Sequence, residues 1–359
     1  MNGGDKPAIV VTGVAGNLGL RLLPLLDRFN VTGVDIVPPR TDLPLRFEKI
    51  DLGREAACRQ LVQVLTQTKA RAVVHLAFVV DQLRSGVLDE NAMWQVNVAG
   101  TARLMEAITE VNRLGGSVDT FIFPSSTFVY GPETPGSVKE NHPLGAESLP
   151  YALHVQQADE AVRFRCETLG NCATYVLRLP LFAGASVKSC LLDAFRGTPG
   201  GSGKRAERMR QRGAHLSLLT PGKLYRENQM QVIHVDDVAR LIALLLRRPA
   251  SQKNELTLMN VSGRGEPIKF EDAAAIANAR VRQVPGKWLM REILRLRWDL
   301  GISGVPHQAA PYLYGSCVVD TNRLKQFLGP EYENVIRYSV ATALQDSFKD
   351  TPNTQSTTV

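Results

Sequence analysis

The chain places an apolar, β-branched run, Ala8-Ile9-Val10-Val11-Thr12, directly before Gly13-Val14-Ala15-Gly16-Asn17-Leu18-Gly19 and a leucine-rich stretch with helical spacing. This order reads as strand, tight turn, helix. Glycines at every third position permit a sharp turn, close approach of the backbone to a pyrophosphate, and tight packing of the new helix on the strand. The helix start, with Asn17 and Leu18 in its first turn, then offers free N–H groups and the positive end of a dipole to phosphates. The next strand, Val31-Thr32-Gly33-Val34-Asp35, ends in a carboxylate spaced to take a ribose 2′-hydroxyl. A 2′-phosphate would meet that negative charge, so the pattern favours NAD over NADP; Arg40 is the neighbouring cation that a 2′-phosphate would need.

The same alternation continues along the chain. A first helix is predicted from Asn17 to Phe29, kinked at Pro24, followed by a strand around Phe47–Ile50, a helix over Leu61–Thr68 and a buried strand from Ala72 to Phe78. A helix opening at Asn97, a strand at Thr120–Phe123, a helix from Pro150 to Leu169 and a strand at Ala173–Leu179 follow. Strands and helices in this order predict an α/β fold, a Rossmann-type doubly wound parallel sheet, with a smaller C-terminal substrate lobe. The expected division is 1–181 plus 230–262 for the NAD-binding domain and 182–229 plus 263–348 for the substrate lobe, with 349–359 a disordered tail. Within the second part, the Gly-rich stretch 197–203 and the basic run 204–212 read as an insertion on the ligand side of the sheet. Val232–Val235 is expected to be a strand that leads into an Asp-capped helix through Leu246.

Composition excludes several classes. Five cysteines among 359 residues, with no C-x-x-C spacing, suggest neither a disulfide framework nor a zinc site, and no metal is assigned. The longest apolar runs are too short to span a bilayer, and no basic-then-apolar leader pattern is present, so a cytoplasmic protein without integral membrane contact is expected. The net charge of +7 is concentrated in the run 204–212. No aromatic residue interleaves with those charges, which argues against nucleic acid and for a solvated face.

In its motifs the chain resembles the extended short-chain dehydrogenase/reductases, the superfamily of NAD-dependent epimerases, dehydratases and 3β-hydroxysteroid-type dehydrogenases. The matching pieces are Thr12-Gly13-x-x-Gly16-x-x-Gly19, Asp35, Asp51-Leu52, His75-Leu76-Ala77, Asn97-Val98-x-Gly100-Thr101, Ser125-Ser126-x-x-Val129-Tyr130-Gly131, Pro150-Tyr151 and His234-Val235-Asp236-Asp237-Val238-Ala239. The resemblance implies that Gly13, Gly16 and Gly19 cradle the pyrophosphate, that Asp35 takes the adenosine ribose, and that Asp51 and Leu52 lie along the adenine. Leu76, Ala77 and Asn97 complete the implied cofactor site. By the same resemblance Ser126 holds the substrate oxygen and Tyr151 is the acid/base, and a homodimer would form through the helices after Thr101 and Tyr151.

One motif position departs from the family. The pattern Tyr-x-x-x-Lys reads Tyr151-Ala152-Leu153-His154-Val155 here, and valine can neither bind a ribose nor lower the phenol's pKa. An unperturbed tyrosine near pKa ~10 is ionised in only about one molecule in a thousand at neutral pH. His154 is the nearest replacement by sequence, although i+3 points to one side of i+4. The arginine that sugar-nucleotide members carry before the Val-His-Val-Asp-Asp segment is also missing, its place taken by Met230-Gln231-Val232. Leu181, Phe182, Leu191, Leu192, Phe195, Trp288 and Trp298 offer an apolar pocket instead. The leading expectation is therefore an NAD-dependent oxidoreductase acting on a carbonyl or secondary alcohol of a hydrophobic, non-nucleotide small molecule. The rivals are a redox-silent NAD-binding sensor or scaffold, a non-redox lyase or cyclase, and a sugar-nucleotide epimerase or dehydratase.

Overall fold

The computed structural model of the chain describes residues 6–80, 85–86, 89–248 and 255–349. The expected tail beyond Lys349 lies outside the described residues. Runs rich in Val, Ile and Phe, which suit a pleated surface covered on both sides, form the parallel strands β1 (Ala8–Thr12), β2 (Asn30–Asp35), β3 (Arg46–Lys49), β4 (Ala72–His75), β5 (Thr120–Ser126), β6 (Ala173–Leu179) and β7 (Leu256–Asn260). They make one sheet in the order β7-β6-β5-β4-β1-β2-β3. The order reverses between β1 and β4, the switch point at which open α/β sheets bind ligands beyond the strand ends.

Helices α1 (Asn17–Leu22), α2 (Ala57–Thr68), α3 (Gly100–Arg113), α4 (Pro150–Arg165), α5 (Cys190–Arg196), α6 (Lys204–Gln211), α7 (Val235–Arg247) and α8 (Gly286–Asp299) are the ones that bear on the site. Alternate residues of each strand serve opposite faces. Ile9 and Val11 pack with Leu22 of α1 and Leu241 and Ile242 of α7, whereas Val10, Val73 and Phe121 pack with Leu61 of α2 and Leu104 and Ile108 of α3.

Several boundaries differ from expectation. The first helix stops at Leu22 and ends in a 3₁₀ turn over Leu23–Leu25, because Pro24 cannot donate to the α ladder. The strand expected to run to Phe78 ends at His75, where the chain bends past the glycine turn. The helix expected from Asn97 is preceded by a π-helical segment, Gln95–Ala99. The strand Val232–His234 lies outside the main sheet, paired in parallel with Leu181–Ala183. His234, rather than an aspartate, caps α7 by accepting the Asp236 N–H, while Asp237 is buried and accepts the backbone N–H groups of Arg337 and Tyr338.

Beyond β6 the two segments 182–229 and 263–348 meet. Leu218–Thr220 pairs in parallel with Val281–Gln283. The Gly-rich stretch bonds to the loop after α8, with Gly201 N–H on Ile302 O and Gly203 N–H on Gly301 O, both at 3.0 Å. A Cβ on Gly201 would lie 2.2 Å from Gly301 O, so these glycines permit a backbone-to-backbone contact. The basic run is α6, largely exposed, with only Ala206 buried.

The glycines of the first turn do separable work. A Cβ on Gly19 would come within 2.4 Å of Val14 O, whereas one on Gly16 meets nothing nearer than Gly13 O at 3.2 Å. Gly19→Ala is therefore expected to cost about 1–3 kcal/mol of stability by overpacking, and Gly16→Ala clearly less, measured by urea denaturation. Equal losses would show that the α1 to turn contact is not what Gly19 protects.

Candidate active site

Gly13 has φ +70°, and a Cβ on it would sit 2.4 Å from the Ala77 nitrogen, so the turn after β1 and the chain leaving β4 touch through backbone alone. Their ends are tied by Gly13 N–H to Val34 O at 2.8 Å and Leu76 N–H to Thr12 O at 3.0 Å. Asp35 stands at the rim of this turn, its Oδ2 accepting the Ala15 N–H at 3.0 Å and its Oδ1 the Ile36 N–H at 2.7 Å. Asp51 accepts the Gly53 N–H and pairs with Arg54. The Leu52 side chain is buried, and its carbonyl accepts from Arg103. The Asn97 carboxamide is used in both directions on Val79, accepting its N–H at 2.6 Å and donating to its carbonyl at 2.9 Å. Asn97 thus holds the path of the chain after β4.

Behind the turn runs a buried chain of hydrogen bonds. Thr101 donates to the Asn97 carbonyl at 2.6 Å and so accepts from His75 Nε2 at 2.9 Å, while His75 Nδ1 accepts from the Thr12 hydroxyl at 2.7 Å. Thr12 in turn accepts the Ala77 N–H. Burial lowers the His75 pKa to about 3, so the imidazole is neutral and is a structural joint between β1, β4 and α3.

Ser126 ends β5 and caps the 3₁₀ turn Thr127–Tyr130 by accepting the Phe128 N–H. Tyr151 follows Pro150 at the start of α4, a position suited to proline because its missing N–H has no helical partner there. Burial raises the phenol's pKa, and the nearby Ser126 hydroxyl offsets part of that rise. Phe78 and Phe128 meet the Tyr151 ring edge-on, each with centroids 5.9 Å away. Val155, one turn further along α4, is buried in an apolar cluster with Phe78 and Tyr151. His154 is also buried but is not part of the cavity wall, and burial lowers its pKa.

A cavity of about 330 Å³ joins these parts. Gly13, Gly16, Asn17, Leu18 and Gly19 of the glycine turn and the neighbouring Leu76 line it, as do Ser126, Phe128, Tyr151 and Val155. Leu181, Phe182, Leu191, Trp298, Gly304 and Pro306 also belong to its wall. Asp35, Asp51, Leu52, Ala77 and Asn97 lie outside its walls. Of the expected apolar residues, Leu192 and Phe195 are buried in the core and Trp288 is 73% exposed on α8, so these three do not form the pocket. Gln231 does not enter it either, because its carboxamide pairs with both backbone groups of Val319. No group of three or more His, Cys, Asp or Glu side chains fit to hold a metal occurs among the described residues.

The site rests on a buried ionic network that reading of the motifs misses. The Arg178 guanidinium grips Asp159 with two hydrogen bonds, at 2.8 and 3.0 Å, and both side chains are wholly buried. Ser125 donates to the same carboxylate at 2.7 Å, Arg178 also bonds the Tyr130 hydroxyl, and Tyr130 donates to Asn260. A charge in the otherwise apolar strand Ala173–Leu179, and an acid two helical turns after Tyr151, are the signals that could have revealed it.

A doubly wound sheet with a glycine turn at its switch point, opening on a serine–tyrosine pair, defines a dinucleotide-binding α/β protein of short-chain dehydrogenase type. The profile described as the NAD dependent epimerase/dehydratase family matches residues 9–261, and the chain belongs to that family. Among solved structures it is similar to a UDP-glucose 4-epimerase from Thermus thermophilus in complex with NAD (18% identity, 96% of this chain and 100% of that one, TM-score 0.64). It is also similar to a dTDP-glucose 4,6-dehydratase from Streptomyces venezuelae with NAD bound (21% identity, 95% of each chain, TM-score 0.64). A short-chain dehydrogenase/reductase superfamily protein from Agrobacterium tumefaciens, also with NAD, aligns at 21% identity over 94% of this chain and 95% of that one, TM-score 0.60. Comparison with curated protein sequences finds no match.

Asp159→Asn would leave the Arg178 guanidinium buried without a counter-charge. The expected loss is about 3–5 kcal/mol of stability, read as a lower urea midpoint. A loss under about 1 kcal/mol would mean that Tyr130 and the Glu140 carbonyl, its remaining partners, suffice.

Proposed function

We propose that the chain is an NAD-dependent oxidoreductase that interconverts a carbonyl and a secondary alcohol on an apolar, non-nucleotide small molecule. The observation that carries this reading is the continuous cavity that runs from the glycine turn, past Ser126 and Tyr151, to walls of Leu181, Phe182, Leu191 and Trp298. The cradle over Gly16 suits a pyrophosphate: the residue borders the cavity, and a Cβ added there would project into the turn, 3.2 Å from Gly13 O, where a close backbone approach is needed. Gly13, Gly16, Asn17, Leu18 and Gly19 would hold the diphosphate, and Asp35, beside the turn, the adenosine ribose, which favours NAD. When bound, the nicotinamide supplies or accepts the hydride at the reacting carbon. Met230-Gln231-Val232 supplies no arginine to grip a nucleotide diphosphate, and the Gln231 carboxamide is engaged with Val319, which supports a substrate without one. The division into a cofactor part (1–181 plus 230–262) and a substrate part (182–229 plus 263–348) is supported by the pairing of Leu218–Thr220 with Val281–Gln283.

In this reading Ser126 hydrogen-bonds the substrate oxygen and Tyr151 gives it a proton during reduction, which solvent later restores. Burial keeps the phenol protonated, and Val155 contributes no cation to oppose that. The chain's own residues therefore favour carbonyl reduction at neutral pH, with alcohol oxidation rising only as the solution becomes alkaline. A homodimer through α3 and α4 belongs to the same proposal, supported by Phe164 on α4, which is 83% exposed. A reducing, cytoplasmic setting is part of the proposal too, supported by five cysteines, none of which is in a disulfide in the described residues.

The decisive experiment is turnover by purified protein with NADH and a panel of apolar ketones and aldehydes. Tyr151→Phe is expected to lower kcat at least about 100-fold, the scale of general acid catalysis, while NADH affinity stays within about twofold. Val155→Lys should move the alkaline limb of alcohol oxidation to lower pH by at least about one unit, because a nearby ammonium favours the tyrosinate. Tyr151→Phe with unchanged turnover, or wild-type protein that binds no NADH, would overturn the reading.

A further inference from the structure

The cavity wall contains a charged residue that the proposed chemistry does not use. Its titratable side chains are His75, Tyr151, Cys190 and Lys188. His75 is neutral, held between Thr12 and Thr101, and Tyr151 is a protonated phenol. No aspartate or glutamate borders the cavity, so Lys188 is its one cation among the described residues. Lys188 is exposed and has no carboxylate partner among the described residues. It lies between Val187, which is 6% exposed, and Ser189, the residue that caps α5. Leu191 on α5 and Phe182, both cavity residues, flank it in sequence. The loop is fixed from the other side, where Asn17 donates to the Ser186 carbonyl at 2.9 Å and Ala185 N–H donates to Asp346 at 2.9 Å.

An ammonium at the edge of an apolar cavity without a compensating acid is an electrostatic selector. A neutral apolar ligand gains only the walls, whereas one with an anionic group also gains a charge-assisted hydrogen bond at the cavity's edge. We infer that Lys188 determines specificity by binding an anionic group, a carboxylate or phosphate, on a substrate whose remaining body is apolar. The inference rests on the oxidoreductase reading for the word substrate. The same chemistry has a second source, the diphosphate of the cofactor, since the Asn17–Ser186 bond holds this loop against the start of α1. The two sources are separated by measuring them independently.

The probes are octanoate and 1-octanol, which share a chain and differ in charge, together with NADH, each titrated by calorimetry into full-length wild-type protein, Lys188→Met and Lys188→Arg. Wild type is expected to bind octanoate at least about tenfold more tightly than 1-octanol. Lys188→Met should abolish that preference, leaving 1-octanol and NADH within about twofold, and Lys188→Arg should retain most of it. Urea midpoints equal to wild type establish that the variants are folded. If wild type shows no preference for octanoate, or binds neither probe, the inference is overturned. It is overturned equally if Lys188→Met weakens NADH about tenfold while the octanoate preference survives, since the lysine then serves the cofactor. Preference for octanoate in a protein without NADH binding or turnover would sink the oxidoreductase reading and leave the anion site standing.

Discussion

The paired hydrogen bonds between Arg178 and Asp159 are the constraint on which the geometry of the site depends. Two fully buried ions are costly to remove from water, and the cost is offset only when their remaining donors and acceptors are also satisfied. Here Ser125, Tyr130 and the Glu140 carbonyl complete the set, with Asn260 accepting from Tyr130 in turn. The requirement fixes the relative positions of β5, β6, β7 and α4. Ser126 is the neighbour of Ser125, and Tyr151 lies two helical turns before Asp159 on α4. The positions of Ser126 and Tyr151 in the cavity are therefore set by an ionic joint, Arg178 with Asp159, that lies outside the cavity wall.

The glycine turn imposes the complementary constraint on the other half of the cavity. Gly13 brings the end of β1 against the chain leaving β4, and the neutral His75 joint locks both to α3. Between these two rigid frames the pocket wall is largely apolar, including Val155, where family members carry a lysine. Without that ammonium, the environment of Tyr151 is governed by burial and by Ser126 alone. The raised pKa of the phenol follows from a missing charge as much as from the residues present.

The alternating sheet, the turn and the serine–tyrosine pair are legible in the sequence because each is a local pattern: a buried β-branched run, glycines three apart, a proline opening a helix. Helix and strand limits are less legible, since Pro24 ends α1 rather than kinking it and Gly13 forces β4 to stop at His75, both outcomes of contacts between distant segments. Leu192 and Trp288 have the right chemistry for a pocket, yet the turn of the helix beneath each sends one into the core and the other to solvent. Lys188 and Phe128 join the cavity by the path of loops, which no periodicity encodes. Arg178 is visible as an anomaly in a buried strand, but its partner becomes evident only when α4 is laid across the sheet.

The parallel pairing of Leu218–Thr220 with Val281–Gln283 has a consequence for biosynthesis. The first of these strands emerges from the ribosome well before the second, so it has no partner while the intervening chain is made. The cavity wall that begins with Leu181, Phe182 and Leu191 likewise gains Trp298, Gly304 and Pro306 only when those later residues have been made. The segments 182–229 and 263–348 thus reach their paired form only after the chain has been made through Gln283, and until then the open strand edge is exposed to chaperones and to aggregation.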